Sequence, residues 1–315
     1  MLYDREQEIE ELNFVLDEPG SHFLTVSGRR RLGKTTLLVE WARQTERPTI
    51  YWVASRVSST QLLRSFSQAI FAHLHPDASI DPGFSYPSWE MAFGQLAELA
   101  SQQRLIVILD EFPYATEVEP ALPSILQNSW DHTLKQTQIL LVLCGSHIGM
   151  MRKLQAHQAP LFGRISGQLQ LKPLPFSATG AFLPAYSLER RIAVYAILGG
   201  VPGYLARFND RDSLADNVRR HLFRSTGMFR TEPQFLVQDE LSQPHNYLAV
   251  LLAIASGNHS QSDIVRATGI EHVTSYLSRL QELQFVRRDI PVTVLEKDRL
   301  ISRKGRFDLA EAFMR

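Results

Sequence analysis

The sequence has one cysteine, no excess of charge of either sign and no long apolar run. Cys144 alone cannot form an internal disulfide, which is typical of a reducing compartment. The 33 basic and 33 acidic residues give zero net charge, so no global field attracts nucleic acid or an acidic membrane. The longest apolar runs, such as 248–255, fall far short of a membrane span, and the charged segment 1–12 lacks the apolar region of a signal peptide. We therefore expect a cytoplasmic protein that does not bind a membrane.

Residues 28–35, with the sequence GRRRLGKT, match the pattern G-x-x-x-x-G-K-[ST] of a phosphate-binding loop, or P-loop. A strand-like run at 22–27 precedes the loop and a helix-like segment at 36–42 follows it, so backbone N–H groups would face one anion. Lys34 would reach the β- and γ-phosphates, and the Thr35 hydroxyl would ligate Mg²⁺. A chance match is the alternative, but the flanking elements favour a nucleoside triphosphate site. The residues predicted to contact the nucleotide are Gly28, Arg31, Leu32, Gly33, Lys34, Thr35 and Thr36.

Strand-like and helix-like segments alternate through the first half of the chain. Runs rich in apolar and β-branched residues predict strands at 22–27, 49–54, 105–109, 139–144 and 167–171. Segments with helical periodicity separate several of these runs. This alternation predicts an α/β fold, a P-loop triphosphatase core with a parallel sheet and helices on both faces.

The strand pattern ends beyond the proline-rich segment 173–175, and the chain divides into two further parts. The first is predicted to be a small helical lid. The second combines three short helices, a strand at 292–295 and a Lys/Arg-rich hairpin, which predicts a C-terminal winged helix-turn-helix. The predicted domains are the P-loop core at 1–175, the lid at 176–242 and the winged helix at 243–315.

Two carboxylates, Asp110 and Glu111, follow the apolar run at 105–109 and form a Walker B pattern. Taken alone, such a pair commonly marks a strand that leaves the core. With a P-loop upstream, Asp110 is predicted to hold Mg²⁺ through water. Glu111 is predicted to orient and deprotonate the attacking water, which favours hydrolysis over transfer to another substrate.

Three more polar residues are candidates for catalysis. Ser146 follows the fourth predicted strand and would sense the γ-phosphate or position the water, with His147 as the second choice. An N-cap of the following helix is the other role open to Ser146, and the two roles are compatible. Arg164 would add positive charge at the transition state, in cis or across a subunit boundary, unless it is simply an exposed loop arginine. The sequence has no N-K-x-D motif, so adenine is preferred over guanine.

Six segments of the chain resemble, in order, the motifs of the archaeal-type ATPase family. This family belongs to the STAND class of P-loop triphosphatases and is related to AAA+ proteins. The resemblance extends from about Leu2 to about Phe313, and it implies ATP and Mg²⁺ as ligands. Family members usually continue into a domain that resembles restriction-type nucleases, so no nuclease activity is assigned to the present residues. The six segments are YDREQEIEEL, GRRRLGKTTLL, LIVILDEFPY, LLVLCGSHIGMM, APLFGRISGQLQLKPLPF and LGGVPGYL.

The resemblance also implies roles for individual residues. Tyr3, Asp4 and Arg5 match a motif that lines the adenine pocket, although Asp4 stands where that motif often has glycine. Pro202 matches the lid motif that packs on adenine and reports the nucleotide to the lid. Arg164 falls on a Gly-Arg position of the family.

The predicted winged helix is a possible DNA-binding element. Its 10 basic and 8 acidic residues are nearly balanced, whereas DNA-binding modules normally carry a basic stripe. A solvated hairpin, or a winged helix that holds the ATPase closed, is the alternative. The candidate DNA contacts are Thr274, Ser275, Ser278 and Arg279 on the presumed recognition helix, and Lys297, Arg299, Arg303, Lys304 and Arg306 in the wing.

Three functions are consistent with these residues. The first is a STAND-like, nucleotide-driven switch with slow ATPase activity. The second is a DNA-binding AAA+-like ATPase that reads duplex DNA with its winged helix. The third is an ATP-binding regulator with negligible turnover, whose output is contact with a protein partner. A homo-oligomer is the other partner considered, and ATP-dependent oligomerisation would support the first function.

Overall fold

The computed structural model describes residues 2–241, 243–299, 302 and 305–314. The chain forms two compact units, Met1–Lys172 and Pro173–Arg315. Within the described residues, every helix is too short or too polar to cross a membrane.

The first unit is built from alternating strands and helices, as the sequence predicts. The strands are β1 (His22–Ser27), β2 (Thr49–Val53), β3 (Leu105–Asp110), β4 (Ile139–Gly145) and β5 (Gly167–Gln170). The helices are α1 (Glu6–Asp17), α2 (Lys34–Thr45), α3 (Ser59–Leu74), α4 (Trp89–Gln102), α5 (Phe112–Val118), α6 (Leu122–His132) and α7 (Ile148–Leu154). The predicted α/β class with a P-loop core is confirmed.

The strands of the first unit form one parallel sheet. In residues 2–172, which the structure describes in full, five strands lie in the order β2-β3-β4-β1-β5. Strands β3 and β4 are central and completely buried, as their continuous apolar sequences require. Ser27 is aligned with Gly145, and Val53 with Asp110, so the carboxyl ends of four strands share one edge. The loops that follow β1, β3 and β4 therefore leave the sheet side by side.

Helices α3 and α4 anchor the β2 side of the sheet with an aromatic cluster. Both helices begin after serine N-caps, which accept backbone N–H groups of the first turn. The ring of Trp52 on β2 lies 5.2 Å from the ring of Phe66, and Phe66 lies 5.4 Å from Trp89. Since Trp52 is buried in this cluster, its strand neighbours face the opposite side of the sheet.

The second unit is mainly helical in its described part. Its helices are α8 (Thr179–Phe182), α9 (Leu188–Leu198), α10 (Pro202–Leu205), α11 (Leu214–Val218), α12 (Glu232–Glu240), α13 (Pro244–Ala255), α14 (Gln261–Thr268) and α15 (Val273–Glu282). An antiparallel pair, β6 (Val286–Asp289) and β7 (Arg306–Leu309), follows the last helix. Helix α13 packs against α14, α15 and β7. The division into lid and winged helix stays a prediction.

The predicted strand at 292–295 is wrong. Pro291 lacks an N–H group and opens a turn in which the Val294 N–H donates to the Pro291 carbonyl at 3.0 Å. Val292 is 87% exposed, so this apolar side chain has no surface to pack on. The strand lies earlier, at β6, where Val286 is buried but is followed by three charged residues that conceal the strand pattern.

Candidate nucleotide-binding site

The P-loop turns out of β1 and directly into α2. A Cβ atom at Gly28 would lie 3.0 Å from the carbonyl oxygen of Leu171, so the close approach of these two backbones requires glycine. Gly33 has a φ of 85° and is the N-cap of α2, where it offers no side chain to cap the first amide groups. These N–H groups are therefore available to an anion at the positive end of the helix.

Lys34 folds back over the loop. Its Nζ donates to the carbonyl oxygen of Gly28 at 2.8 Å and to that of Arg29 at 3.2 Å, and the residue is only 6% exposed. A buried ammonium group requires acceptors, and the loop supplies them. The positive charge therefore lies within the loop that the sequence predicts to bind phosphate.

Asp110 and Thr35 meet at the carboxyl edge of the sheet. The Thr35 hydroxyl donates to Oδ2 of Asp110 at 2.6 Å, and Asp110 is 1% exposed. The hydroxyl of Tyr51 donates to the same oxygen at 2.6 Å. The structure thus brings together the two residues predicted to hold a metal, and it adds Tyr51, which the motifs do not include.

The hydrogen bonds around Asp110 determine its charge. Burial by itself raises the pKa of this carboxyl, but hydrogen bonds from Cys144, Thr35 and Tyr51 outweigh that effect and hold the pKa below its ordinary value. Burial is also the main cause that raises the pKa values of the Tyr51 phenol and the Cys144 thiol. The neighbouring Asp110 carboxylate raises both of them further. At neutral pH the site therefore holds an ionised carboxylate surrounded by neutral donors.

This set of oxygen atoms suits a hard cation such as Mg²⁺. The described residues contain no cluster of three or more His, Cys, Asp or Glu side chains that could enclose a metal. Mg²⁺ is commonly bound by one or two protein oxygens while it keeps waters and phosphate oxygens as its other ligands. The hydroxyl of Thr35 and the carboxylate of Asp110 fit that requirement.

Glu111 is held at the end of β3 by Ser146. The Ser146 hydroxyl lies 3.0 and 2.9 Å from the two carboxylate oxygens of Glu111, and the Ser146 N–H donates to the same group at 3.3 Å. Glu111 has a φ of 50°, a left-handed conformation that costs a non-glycine residue on the order of 1 kcal/mol. These hydrogen bonds therefore join the loops after β3 and β4 at Glu111, the predicted general base.

The helix after β4 is capped by His147 and not by Ser146. Helix α7 begins at Ile148, and Nδ1 of His147 accepts the Met150 N–H at 3.2 Å. The N-cap role considered for Ser146 is therefore wrong, because one more residue separates the strand from the helix. The Ser146 hydroxyl contacts the Glu111 carboxylate instead.

Arg164 lies away from these groups. Leu24 of β1 is aligned with Gly167, so Arg164 lies near the amino-terminal edge of the sheet, whereas the P-loop leaves the opposite edge. A six-residue strand separates these edges by about 17 Å. The guanidinium of Arg164 instead pairs with Asp131, with Nη2 at 2.7 Å from Oδ2. The structure does not bring Arg164 together with Lys34 or Glu111, and its catalytic role stays a prediction.

The N-terminal motif contacts the P-loop through Arg5. This residue is 5% exposed, and its guanidinium donates to the carbonyl oxygens of Leu32 at 3.1 Å and Lys172 at 2.9 Å. Asp4 has a φ of 54°, which explains why glycine suits that position and why aspartate is tolerated there. Contact of Tyr3, Asp4 and Arg5 with adenine stays a prediction, but Arg5 clearly supports the loop.

Pro202 belongs to the second unit, where it opens the short helix α10. Gly200, two residues earlier, lies against Leu174, whose N–H donates to the Gly200 carbonyl at 2.7 Å. A side chain at residue 200 would clash with the Leu174 backbone, so the segment 200–202 is tightly fixed within this unit. The predicted contact of Pro202 with adenine is untested.

The candidate DNA contacts also lie in the second unit. Thr274, Ser275 and Ser278 are exposed on one side of α15, while its apolar residues face inward. Arg279 pairs with Glu282 at 2.8 Å, and Arg306 pairs with Asp308 at 3.2 Å. The other candidates in the wing are the exposed Lys297 and Arg299, together with Arg303 and Lys304, which lie outside the described residues.

Comparisons with known proteins show the family of this chain. Residues 2–208 match the family described as the ATPase domain predominantly from Archaea. An uncharacterised protein of Methanocaldococcus jannaschii is 31% identical over 319 residues, which cover all of this chain and 67% of that protein. Both matched ranges span residues 28–35 and 110–111 of this chain.

Solved structures show the same fold. The Walker-type ATPase of Pyrococcus abyssi has a TM-score of 0.74 at 21% identity, over 99% of this chain and 95% of that chain. The Aeropyrum pernix ORC1 protein in complex with DNA has a TM-score of 0.50 at 17% identity, over 99% and 90% of the two chains. The match over residues 2–208 and the relative from M. jannaschii show that the chain belongs to the family of ATPase domains found predominantly in Archaea.

Proposed function

We propose that the chain binds Mg·ATP, hydrolyses ATP slowly and works as a nucleotide-driven switch of the STAND type. The observation that carries this proposal is the meeting of three pieces at one edge of the sheet. These pieces are the P-loop, the pair Thr35–Asp110 and the pair Ser146–Glu111. A P-loop alone supports nucleotide binding, whereas the second carboxylate, that of Glu111, also supports the activation of water.

The first unit would bind the polyphosphate with its own amide groups and charge. Lys34 would exchange the carbonyl oxygens of Gly28 and Arg29 for the β- and γ-phosphate oxygens. The remaining loop residues, Arg31 to Thr36, would contribute backbone N–H groups. When bound through Thr35 and Asp110, Mg²⁺ would neutralise the charge that develops on the phosphates.

Glu111 would accept a proton from the attacking water. The water oxygen then forms a bond to the γ-phosphorus while the bond to the ADP oxygen breaks, giving ADP and phosphate. Ser146 would orient the carboxylate through the hydrogen bonds already present. We expect slow turnover because Arg164 is engaged with Asp131 and supplies no charge at the phosphates of its own chain. An arginine contributed to the site by a second copy of the chain would increase the rate of turnover.

The output of the switch would be a change in the second unit. We propose that Pro202, in the fixed segment 200–202, reports the bound nucleotide to the lid at 176–242, as the family resemblance implies. The single buried Cys144 supports a reducing, cytoplasmic setting for this activity.

Hydrogen exchange tests the switch. The variant Glu111→Gln should keep ATP bound without hydrolysis, so it can be compared with the wild type loaded with ADP. We expect amide protection in 176–242 to differ between the two states, and protection around β5 to be the same. Equal protection throughout the lid would contradict the switch, even if the enzyme hydrolyses ATP.

A second candidate function is that of a DNA-associated ATPase. The exposed hydroxyls of Thr274, Ser275 and Ser278 share one side of α15, which is where a base-contacting surface would lie in a winged helix. The similar fold of an ORC1 protein that was solved with DNA gives further support. The third possibility, a regulator without turnover, would be favoured if no hydrolysis is detected at saturating Mg·ATP.

A further inference from the structure

Tyr51 belongs to the site, although neither the motifs nor the family resemblance include it. On β2 it is aligned with Ile108 of β3. Side chains alternate along a strand, so Tyr51 shares a face with Ile108 and with Asp110, which is two residues further along. The buried Trp52 occupies the opposite face and fixes this orientation. Sheet register therefore brings the phenol to the carboxylate.

The Asp110 carboxylate is held by donors on both of its oxygens. Oδ2 accepts the hydroxyls of Tyr51 and Thr35, each at 2.6 Å. Oδ1 accepts the Glu111 N–H at 2.9 Å. A carboxylate with a donor on one side only could rotate about its side-chain bond, whereas this one is fixed in the direction of Thr35.

We propose that Tyr51 is a positioning residue for the Mg²⁺ site, which acts by holding the Asp110 carboxylate toward Thr35. The proposal rests on the function proposed above, because it assigns a role in metal binding to that same site. Partners that orient metal-binding groups typically change metal affinity by about 10- to 100-fold. Tyr51 itself would not touch substrate or metal.

The surroundings of Tyr51 decide the size of the effect. The residue is half-buried and lines a surface cavity of about 450 Å³ together with Val39, Ala42 and Arg47. Removing its hydroxyl leaves the ring in place, and Oδ2 of Asp110 keeps the Thr35 hydroxyl as its second donor. We therefore expect an effect near the lower end of that range, about tenfold.

The test uses Tyr51→Phe, with Tyr86→Phe as the matched control. Tyr86 is also a half-buried tyrosine of the first unit, but it lies in the loop before α4. Binding of Mn²⁺ in the presence of ADP is measured by electron paramagnetic resonance, and ADP binding is measured separately in EDTA. We expect Tyr51→Phe to weaken Mn²⁺ binding about tenfold, with ADP binding in EDTA unchanged. The Mg²⁺ concentration for half-maximal ATPase should rise by the same factor, while kcat at saturating Mg²⁺ stays within about twofold.

Two results would overturn the proposal. One is Mn²⁺ binding by Tyr51→Phe within about twofold of the wild type. The other is an equal loss of ADP binding in EDTA, which would indicate a general packing role. If the wild type binds Mn²⁺ with ADP but does not hydrolyse ATP, the proposed ATPase fails, and the comparison of Mn²⁺ affinities still decides the role of Tyr51.

Discussion

Asp110 and Glu111 are adjacent in the chain, but their side chains have different surroundings. Asp110 is almost fully buried and is fixed by hydroxyl donors at 2.6 Å, which suits a group that orients a metal. Glu111 is half-buried, and the left-handed turn at this residue directs its carboxylate to Ser146. Two features therefore give the carboxylates different roles: they lie on consecutive residues, and the backbone at Glu111 has a left-handed φ.

Removal of the Ser146 hydroxyl should reduce hydrolysis without reducing nucleotide binding. Ser146→Ala deletes the hydrogen bonds at 2.9 and 3.0 Å but keeps the backbone N–H contact to Glu111. A hydrogen bond to a charged group is worth about 1.5 kcal/mol, so we expect kcat to fall about tenfold. Steady-state kinetics and ATP titration measure the two quantities.

Ser101→Ala is the matched control for this change, because Ser101 donates to a carbonyl of its own helix on the surface. It should leave kcat unaltered. A normal kcat in Ser146→Ala would show that Ser146 does not orient the base.

The sequence predicts the residues whose roles depend on spacing along the chain, and it misses those that depend on register. Lys34, Thr35 and Asp110 can be identified because the P-loop and Walker B patterns are local. Tyr51 reaches Asp110 only through the alignment of β2 with β3, which no single segment encodes. The alternation in 49–53 was the available signal, since it places Trp52 and Tyr51 on opposite faces.

Among the elements, the junction of β4 with α5 positions the catalytic pair. Gly145 ends β4, and a Cβ atom there would lie 2.6 Å from Cδ of Pro113 and 2.8 Å from Sδ of Met151. An alanine would push α5 away from the sheet and would separate Ser146 from Glu111. The atoms nearest to this Cβ position belong to α5 and α7 and not to the P-loop, so nucleotide binding should be affected less.

Gly145→Ala is therefore expected to lower stability by about 1–3 kcal/mol through overpacking. We also expect kcat to fall at least as far as in Ser146→Ala, because the added methyl group would displace both Ser146 and Glu111. The ATP affinity should stay within about threefold of the wild type. Thermal unfolding and ATPase assays measure these effects. Gly94→Ala is the control, since a Cβ atom at that position meets nothing within 4 Å. Equal behaviour of the two variants would contradict this account of the junction.

Sequence patterns also predict elements unevenly. Strands β3 and β4 are easily predicted from the sequence, because a strand buried on both faces is apolar throughout. Helix α1 is hard to recognise in the sequence, because it is rich in glutamate and buries only Leu12 and Leu16. The sequence pattern places the hairpin strand at 292–295 instead of at β6, because the exposed apolar residues after Pro291 resemble a strand.

At the scale of the whole molecule, zero net charge leaves DNA binding to a local patch. The exposed Lys297 and Arg299 are the described residues of the wing best placed for phosphate contacts. Replacing both by alanine should weaken binding to duplex DNA at low salt and reduce the salt dependence of log K by about two. Fluorescence anisotropy over a range of salt concentrations measures both effects.

The control for the wing is the pair Arg43→Ala and Arg47→Ala, which removes two exposed arginines from the first unit. This double variant should bind DNA like the wild type. If the wild type binds no duplex DNA at low salt, or if both double variants lose affinity equally, the wing is not a DNA-binding surface.

The central claim is that Glu111 activates water at a site that binds ATP independently of it. Its most direct test is the single-turnover rate of ATP hydrolysis by Glu111→Gln at saturating Mg²⁺, with the ATP Kd measured on the same protein. Loss of a general base lowers rates by about 10²- to 10⁴-fold, so we predict a fall of at least 100-fold with an ATP Kd within about twofold of the wild type. A rate within about threefold of the wild type, with ATP bound normally, would contradict the account.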